Sequence, residues 1–289
     1  GVVDDNLFVA NPIGAGFGSS FPKSLFGGVG GSLSGNVVLH GNDIEDSGHG
    51  WGLWVSNIGQ TKSLQVENNI VAHVDSAVAG TAIQFAAILD EVKNVTVVNN
   101  IVYDWGGALK VHGSRLSGNT VANNRFFVLD GDSYLVDFIL VPEFDPMYVS
   151  FANNQYNANT DLWYHIIKGV VNGVFAQEWY NFAGWSSILS EVEPVIAAPN
   201  FLDPQRTVET YNAAIGGAHS LDAFLAEARL LSRDNWDARY TAEPVISYVR
   251  EGFLLQAPKL KGGGFAEVGS IVQLSVEHVN PGSSFQWYH

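Results

Sequence analysis

The chain has 289 residues, 46% hydrophobic and 15% charged, which is enough apolar content for a substantial core and too much for disorder throughout. It has no cysteine, excluding disulfides and thiolate metal sites, and its formal charge of -15 argues against a surface for duplex nucleic acid. No stretch reaches the roughly 18 continuous apolar residues of a membrane span, and no segment of the given sequence is expected to act as a signal peptide. The start at Gly1 is expected of a mature or excised fragment, and few lysines with many Asn and Gly suit an extracellular or cell-surface protein.

In chain order, the Gly-rich segment "PIGAGFGSSFPKSLFGGVGGSLSG" is expected to form a long inserted loop. From residue 36 onward the chain repeats itself: "NVVLHGNDIED" (36–46), "SLQVENNIVAH" (63–73), "NVTVVNNIVYD" (94–104), "GNTVANNRFFV" (118–128) and "YVSFANNQYNA" (148–158). Aligned after the first strand, they set Asn42/Asp43, Asn68/Asn69, Asn99/Asn100, Asn123/Asn124 and Asn153/Asn154 in register, at spacings of 26, 31, 24 and 30 residues. A unit of that length with three short strands cannot bury its apolar side alone, so neighbours must stack into a solenoid. Asn at the turn has a physical cause: it tolerates the left-handed backbone region, and its amide can bond the Asn above and below.

These stacked Asn pairs resemble the ladder of the right-handed parallel β-helix in the pectate lyase-like superfamily, over residues 36–167. The resemblance implies that the usual site-bearing face is the first sheet, here "GLWVSN" (52–57), "AIQFAA" (82–87), "ALKVHG" (108–113), "YLVDFIL" (134–140) and "LWYHII" (162–167). Alternation turns Leu109 and Val111 inward and Lys110 and His112 outward.

Beyond about residue 170 the pattern changes. Thr207 can cap a helix through Ile215, Ser220 can cap "LDAFLAEARLLSR", and "AEPVISYVREGF" follows Thr241 with Pro244 in its first turn. These helices are expected to cover the open end of the solenoid, and they resemble the C-terminal cap of secreted bacterial β-helix proteins. Residues 258–289 alternate apolar and polar residues, resembling the start of an Ig-like module with further modules beyond. The expected organisation is therefore a β-helix over 1–205, a helical cap over 206–256 and a truncated Ig-like segment over 257–289.

The expected outward column is Trp54, Gln84, Lys110, Asp137 and Tyr164, with His112 further along its strand and Trp105 beside the groove. Aromatic faces, amides and charges in such a strip suit a polysaccharide partner. "GGALKVHGSRLSGNTVANNRFF" is similar to a stretch of alginate and chondroitin lyases. The resemblance implies Lys110 as base and His112 or Arg115 as acid or carboxylate partner; Asp137 stands where those lyases supply an arginine. In the neighbouring turns Asp46, Asp75, Asp104, Asp130, Asp132 and Asp161 fall nearly in register, which would suit Ca²⁺. Trp179, Trp185 and Trp236 are expected in the core, and His40, His49 and His73 in hydrogen-bonded structural roles. Two function classes remain open: a uronic-acid polysaccharide lyase, with a glycoside hydrolase using Asp137 and either Asp104 or Asp132 as a variant, and a non-catalytic adhesin or fibre scaffold.

Overall fold

The structure is a computed structural model that describes residues 2–9, 13–17, 31–39, 51–56, 63–73, 80–129, 134–141, 144–158, 164–171, 174–257, 259–261 and 275–277. Three sheets stack into a parallel β-solenoid. Sheet A joins Val2–Asp4, Gly31–Ser34, Leu64–Glu67, Val95–Val98, Asn119–Ala122 and Val149–Ala152. Sheet B joins Leu7–Val9, Val37–Leu39, Ile70–Ala72, Ile101–Tyr103, Arg125–Val128, Gln155–Ala158 and Val195–Ile196. Sheet C, the expected site-bearing sheet, joins Ile13–Phe17, Trp51–Ser56, Thr81–Lys93, Gly107–Ser117, Val136–Ile139 and Tyr164–Val171, and ends on the antiparallel edge strand Val174–Tyr180.

The turn from sheet A to sheet B divides two tasks between adjacent residues. Asn68, Asn99, Asn123 and Asn153 take the left-handed backbone, with φ of 56 to 57°. The second residue of each pair is buried and forms the ladder: Asn69 donates from Nδ2 to Oδ1 of Asn100 at 2.9 Å, Asn100 to Asn124 at 3.0 Å, and Asn124 to Asn154 at 3.0 Å. Each also donates to a sheet A carbonyl, as Asn100 does to Val66 at 2.8 Å. Every rung thereby satisfies backbone groups that a turn would otherwise leave buried and unpaired.

The ladder starts earlier than the sequence suggests. Asn36, not Asn42, is the rung before Asn69, and Asn6 precedes it, at separations of 33 and 30 residues. Asn42 and Asp43 lie outside the described residues. The left-handed position before Asn36 is Gly35, with φ of +64°, where a Cβ would meet Asp5 Oδ1 at 2.3 Å and Arg250 Nη2 at 2.7 Å. The first coil is also built where a loop was expected, because Ile13–Phe17 pairs in parallel with Trp51–Ser56.

The interior follows two-residue alternation: Val95 and Val97 are buried on sheet A while Thr96 and Val98 are half-buried. At the C-terminal end of the bore, helix α1 (Phe182–Leu189) inserts Trp185. Its indole stacks on Tyr164 at 4.4 Å and 9°, and on Phe138 at 5.6 Å. Here the ladder ends on Glu191, whose carboxylate accepts from Asn154 Nδ2 at 2.9 Å and from the Tyr156 hydroxyl at 3.0 Å.

Helices α2 (Val208–Ala214), α3 (Leu221–Arg229) and α4 (Ala242–Gly252) begin where the capping residues predict. They do not close the open end. Val208, Phe224, Val245 and Val249 pack with Val37, Leu39, Ala72, Tyr103 and Phe127, the outward residues of sheet B. Those positions are apolar because a second core lies over them. Of residues 258–289, the antiparallel pair Lys259–Lys261 and Ser275–Glu277 is described. The rest of the expected module lies outside the described residues. Among the described residues no helix is long and apolar enough to cross a membrane.

Candidate functional site

From its second strand onward sheet C carries one outward side chain per strand in continuous register: Trp54, Gln84, Lys110, Asp137 and His165, then Trp179 on the edge strand. Leu53, Ile83, Leu109, Val136 and Tyr164 are the inward partners at the adjacent positions, each at most 1% exposed. Tyr164 is therefore a core residue and not a surface contact. A one-residue slip exchanges the two faces of a strand, and counting back from buried Ile166 assigns Tyr164 to the interior and His165 to the outward face, where packed rings leave it 5% exposed. Trp105 is likewise removed from any groove, being 0% exposed inside the solenoid.

Three ionisable side chains meet at the centre of the column. Asp137 accepts from His165 Nδ1 at 3.0 Å and lies 3.6 Å from Lys110 Nζ. His165 is wedged between rings, 4.2 Å from Trp179 and 4.8 Å from Tyr134, and its Nε2 lies 3.4 Å from Gln177 Oε1. The Tyr134 phenol is pushed above its ordinary pKa, first by burial and then by the Asp137 charge, so it stays protonated. Trp179, expected in the core, is 38% exposed and presents an aromatic flank beside this cluster.

His112 stands apart from the ion pairs. Its register neighbours, Ala86 and Ile139, are both apolar, and burial pulls its pKa below the ordinary histidine value. The charge of Lys110 lowers it further and that of Asp137 opposes. The imidazole is consequently neutral at neutral pH, and its Nε2 is buried without a hydrogen-bond partner among the described residues. The Gln84 Oε1 is in the same condition. A buried polar atom left unpaired in this way costs the fold free energy.

The remaining expected site residues fall elsewhere. Arg115 follows a register shift after Gly113, is exposed, and pairs in register with Glu91. Strand rise sets it roughly 16 Å along from Lys110. Asp104 occupies a left-handed turn with φ of 53°, 3.8 Å from His73 Nδ1. His73, with φ of 60°, holds the equivalent position one coil earlier, so the acids are not in register there. His73 Nε2 bonds the Pro204 carbonyl at 2.7 Å, the structural role expected of it. Asp46, Asp75, Asp130, Asp132 and Asp161, with His40 and His49, lie outside the described residues. Among the described residues no group of three or more His, Asp or Glu could hold a metal ion. Trp185 is core as expected, whereas Trp236 is 68% exposed.

Sequence reasoning missed His165, Tyr134, Gln177 and the surface role of Trp179. The parity of "YHII" against its buried isoleucine carried the first of these. The antiparallel return Val174–Tyr180, which brings Gln177 and Trp179 beside His165, has no counterpart in the repeat. Comparison with family models, curated proteins and solved structures returns no match.

Proposed function

We propose that the outward face of sheet C binds a polysaccharide lying across the strands, along the solenoid axis. The observation that carries this reading is the unbroken column from Trp54 to Trp179, aromatic at both ends and polar between. Five strand steps of about 4.8 Å make it roughly 24 Å long. Indole faces suit sugar rings, and Gln84, Lys110 and Asp137 offer groups for hydroxyls and carboxylates.

The chemistry that the centre of this strip would carry is β-elimination on a uronic-acid residue. Lys110 is engaged with Asp137 and faces the substrate carboxylate as a cation, so in this reading the base is the neutral, half-buried imidazole of His112 on the same face. His112 takes the C5 proton, the electron pair forms the C4–C5 double bond, and the C4–O bond breaks. The departing oxygen takes a proton from water. A second reading, a non-catalytic surface or fibre scaffold acting outside the cell, is favoured by the Asp137 pairings, which leave the cluster largely satisfied within itself.

Binding and turnover on alginate, pectate, chondroitin and neutral glycans, with and without Ca²⁺, separate these readings. Unsaturated-product absorbance lost in His112→Ala, with binding kept, supports the lyase. Binding without product supports the scaffold, and Ca²⁺-dependent signal would assign the acidic turns a role. No binding to any glycan overturns the proposal.

A further inference from the structure

A second cleft lies away from sheet C, between the Asn turns and the end of α4, with a volume of about 600 Å³. Asn68, Asn99, Ile101 and Arg125 form its solenoid wall, and Phe253 and Leu254 its helical wall. This volume is within the range of small-molecule sites, roughly 300–1,000 Å³.

Arg125 is the unusual member. It stands on the outward face of sheet B, in register between Ile101 and Gln155. Among the described residues three arginines are half-buried: Arg125, Arg206 and Arg250. Arg206 bonds Glu251 and the Tyr248 carbonyl, both at 3.0 Å, and packs over the Tyr248 ring. Arg250 bonds Asp5 at 2.9 Å and the Gly35 carbonyl. Arg125 has no ion pair and no side-chain hydrogen bond among the described residues, and burial pushes its pKa down. A guanidinium partly withdrawn from water without an acceptor gains from a ligand that supplies one. The other charges on the cleft, Asp5 and Arg250, neutralise each other, so Arg125 leaves the cleft positive in a chain of net charge -15.

We propose that this cleft binds a small hydroxylated organic acid. Its carboxylate pairs with the Arg125 guanidinium, a planar fork that matches carboxylate geometry. The exposed amides of Asn68 and Asn99 reach its hydroxyls, and Ile101, Phe253 and Leu254 cover its carbon skeleton. This site is independent of the sheet C strip.

Calorimetric titration of the full chain with D-glucuronate tests it, with glucose and inorganic sulfate as further arms. Glucuronate is expected to bind saturably, glucose to show no binding, and sulfate to bind more weakly. Arg125→Gln is expected to weaken glucuronate binding at least tenfold, while His112→Ala leaves it unchanged. Because Arg125 has no partner to lose among the described residues, Arg125→Gln without ligand should melt no lower than the parent chain. Absence of saturable binding, indifference to Arg125→Gln, loss in His112→Ala, or sulfate binding as tight as glucuronate would each overturn the assignment. So would a lowered melting temperature of Arg125→Gln.

Discussion

Glu191 does at the end of the ladder what an asparagine does within it: it accepts from the rung below, but it does so with a carboxyl group. Burial drives its pKa above the ordinary carboxylate range, and the bonds from Asn154 and Tyr156 offset only part of that shift. The sign of the pH effect follows. The folded chain holds the proton more tightly than the unfolded chain, so stability from this group is fully present below the unfolded value and is lost as pH rises through the folded one. Glu191→Gln keeps an acceptor for Asn154 and Tyr156 without the charge. Its melting temperature is expected to equal or exceed that of the parent at pH 7, and the parent's gain between neutral and mildly acidic pH should vanish. A melting temperature lower than the parent's at pH 7 would show that the ionised carboxylate stabilises the fold. The ladder itself was legible because two adjacent Asn do separable tasks that leave a doublet in the sequence. It was misread in the second coil, where Gly35 takes the left-handed position under the approach of Arg250 and leaves Asn36 a singlet. Asn42–Asp43 looked like the missing doublet.

Helix α1 is short, eight residues, and nothing in "FAGWSSIL" announces it beyond the Asn181 cap. It forms because the open bore offers Trp185 a fully buried slot against Tyr164, Phe138 and Phe151. Helices α2 to α4 were legible by contrast, since Thr207, Ser220 and their apolar spacing are local signals. What those helices cover was not local: it depends on sheet B presenting Leu39, Tyr103 and Phe127 outward, a fact about register. If α1 is the plug of the bore, Trp185→Ala should cost about 3–5 kcal/mol, as large-to-small core truncations do. Trp236→Ala, at an exposed position, should stay within roughly 0.5 kcal/mol. Urea denaturation of the two variants measures both. Equal, small losses would mean that α1 does not seal the core.

A solenoid presents its outward columns as straight lines, so a ligand of matching period can add one contact per coil, and this regularity makes the strip on sheet C testable as a whole. Its two indoles stand at opposite ends, Trp54 on the second strand of the sheet and Trp179 on the last. Short oligosaccharides can engage one end at a time; a chain that spans the column engages both. Affinity for a bound glycan is therefore expected to rise with oligosaccharide length until the chain covers the roughly 24 Å strip, and then to level off. Trp54→Ala and Trp179→Ala should each cost about 1 kcal/mol with spanning oligomers, the scale of one aromatic contact. With short oligomers that still engage the intact end, each variant should bind almost as the parent does. Calorimetry across a length series of the best glycan from the panel provides the test. Affinity independent of length, or unaffected by both substitutions, would place the ligand somewhere other than along this column.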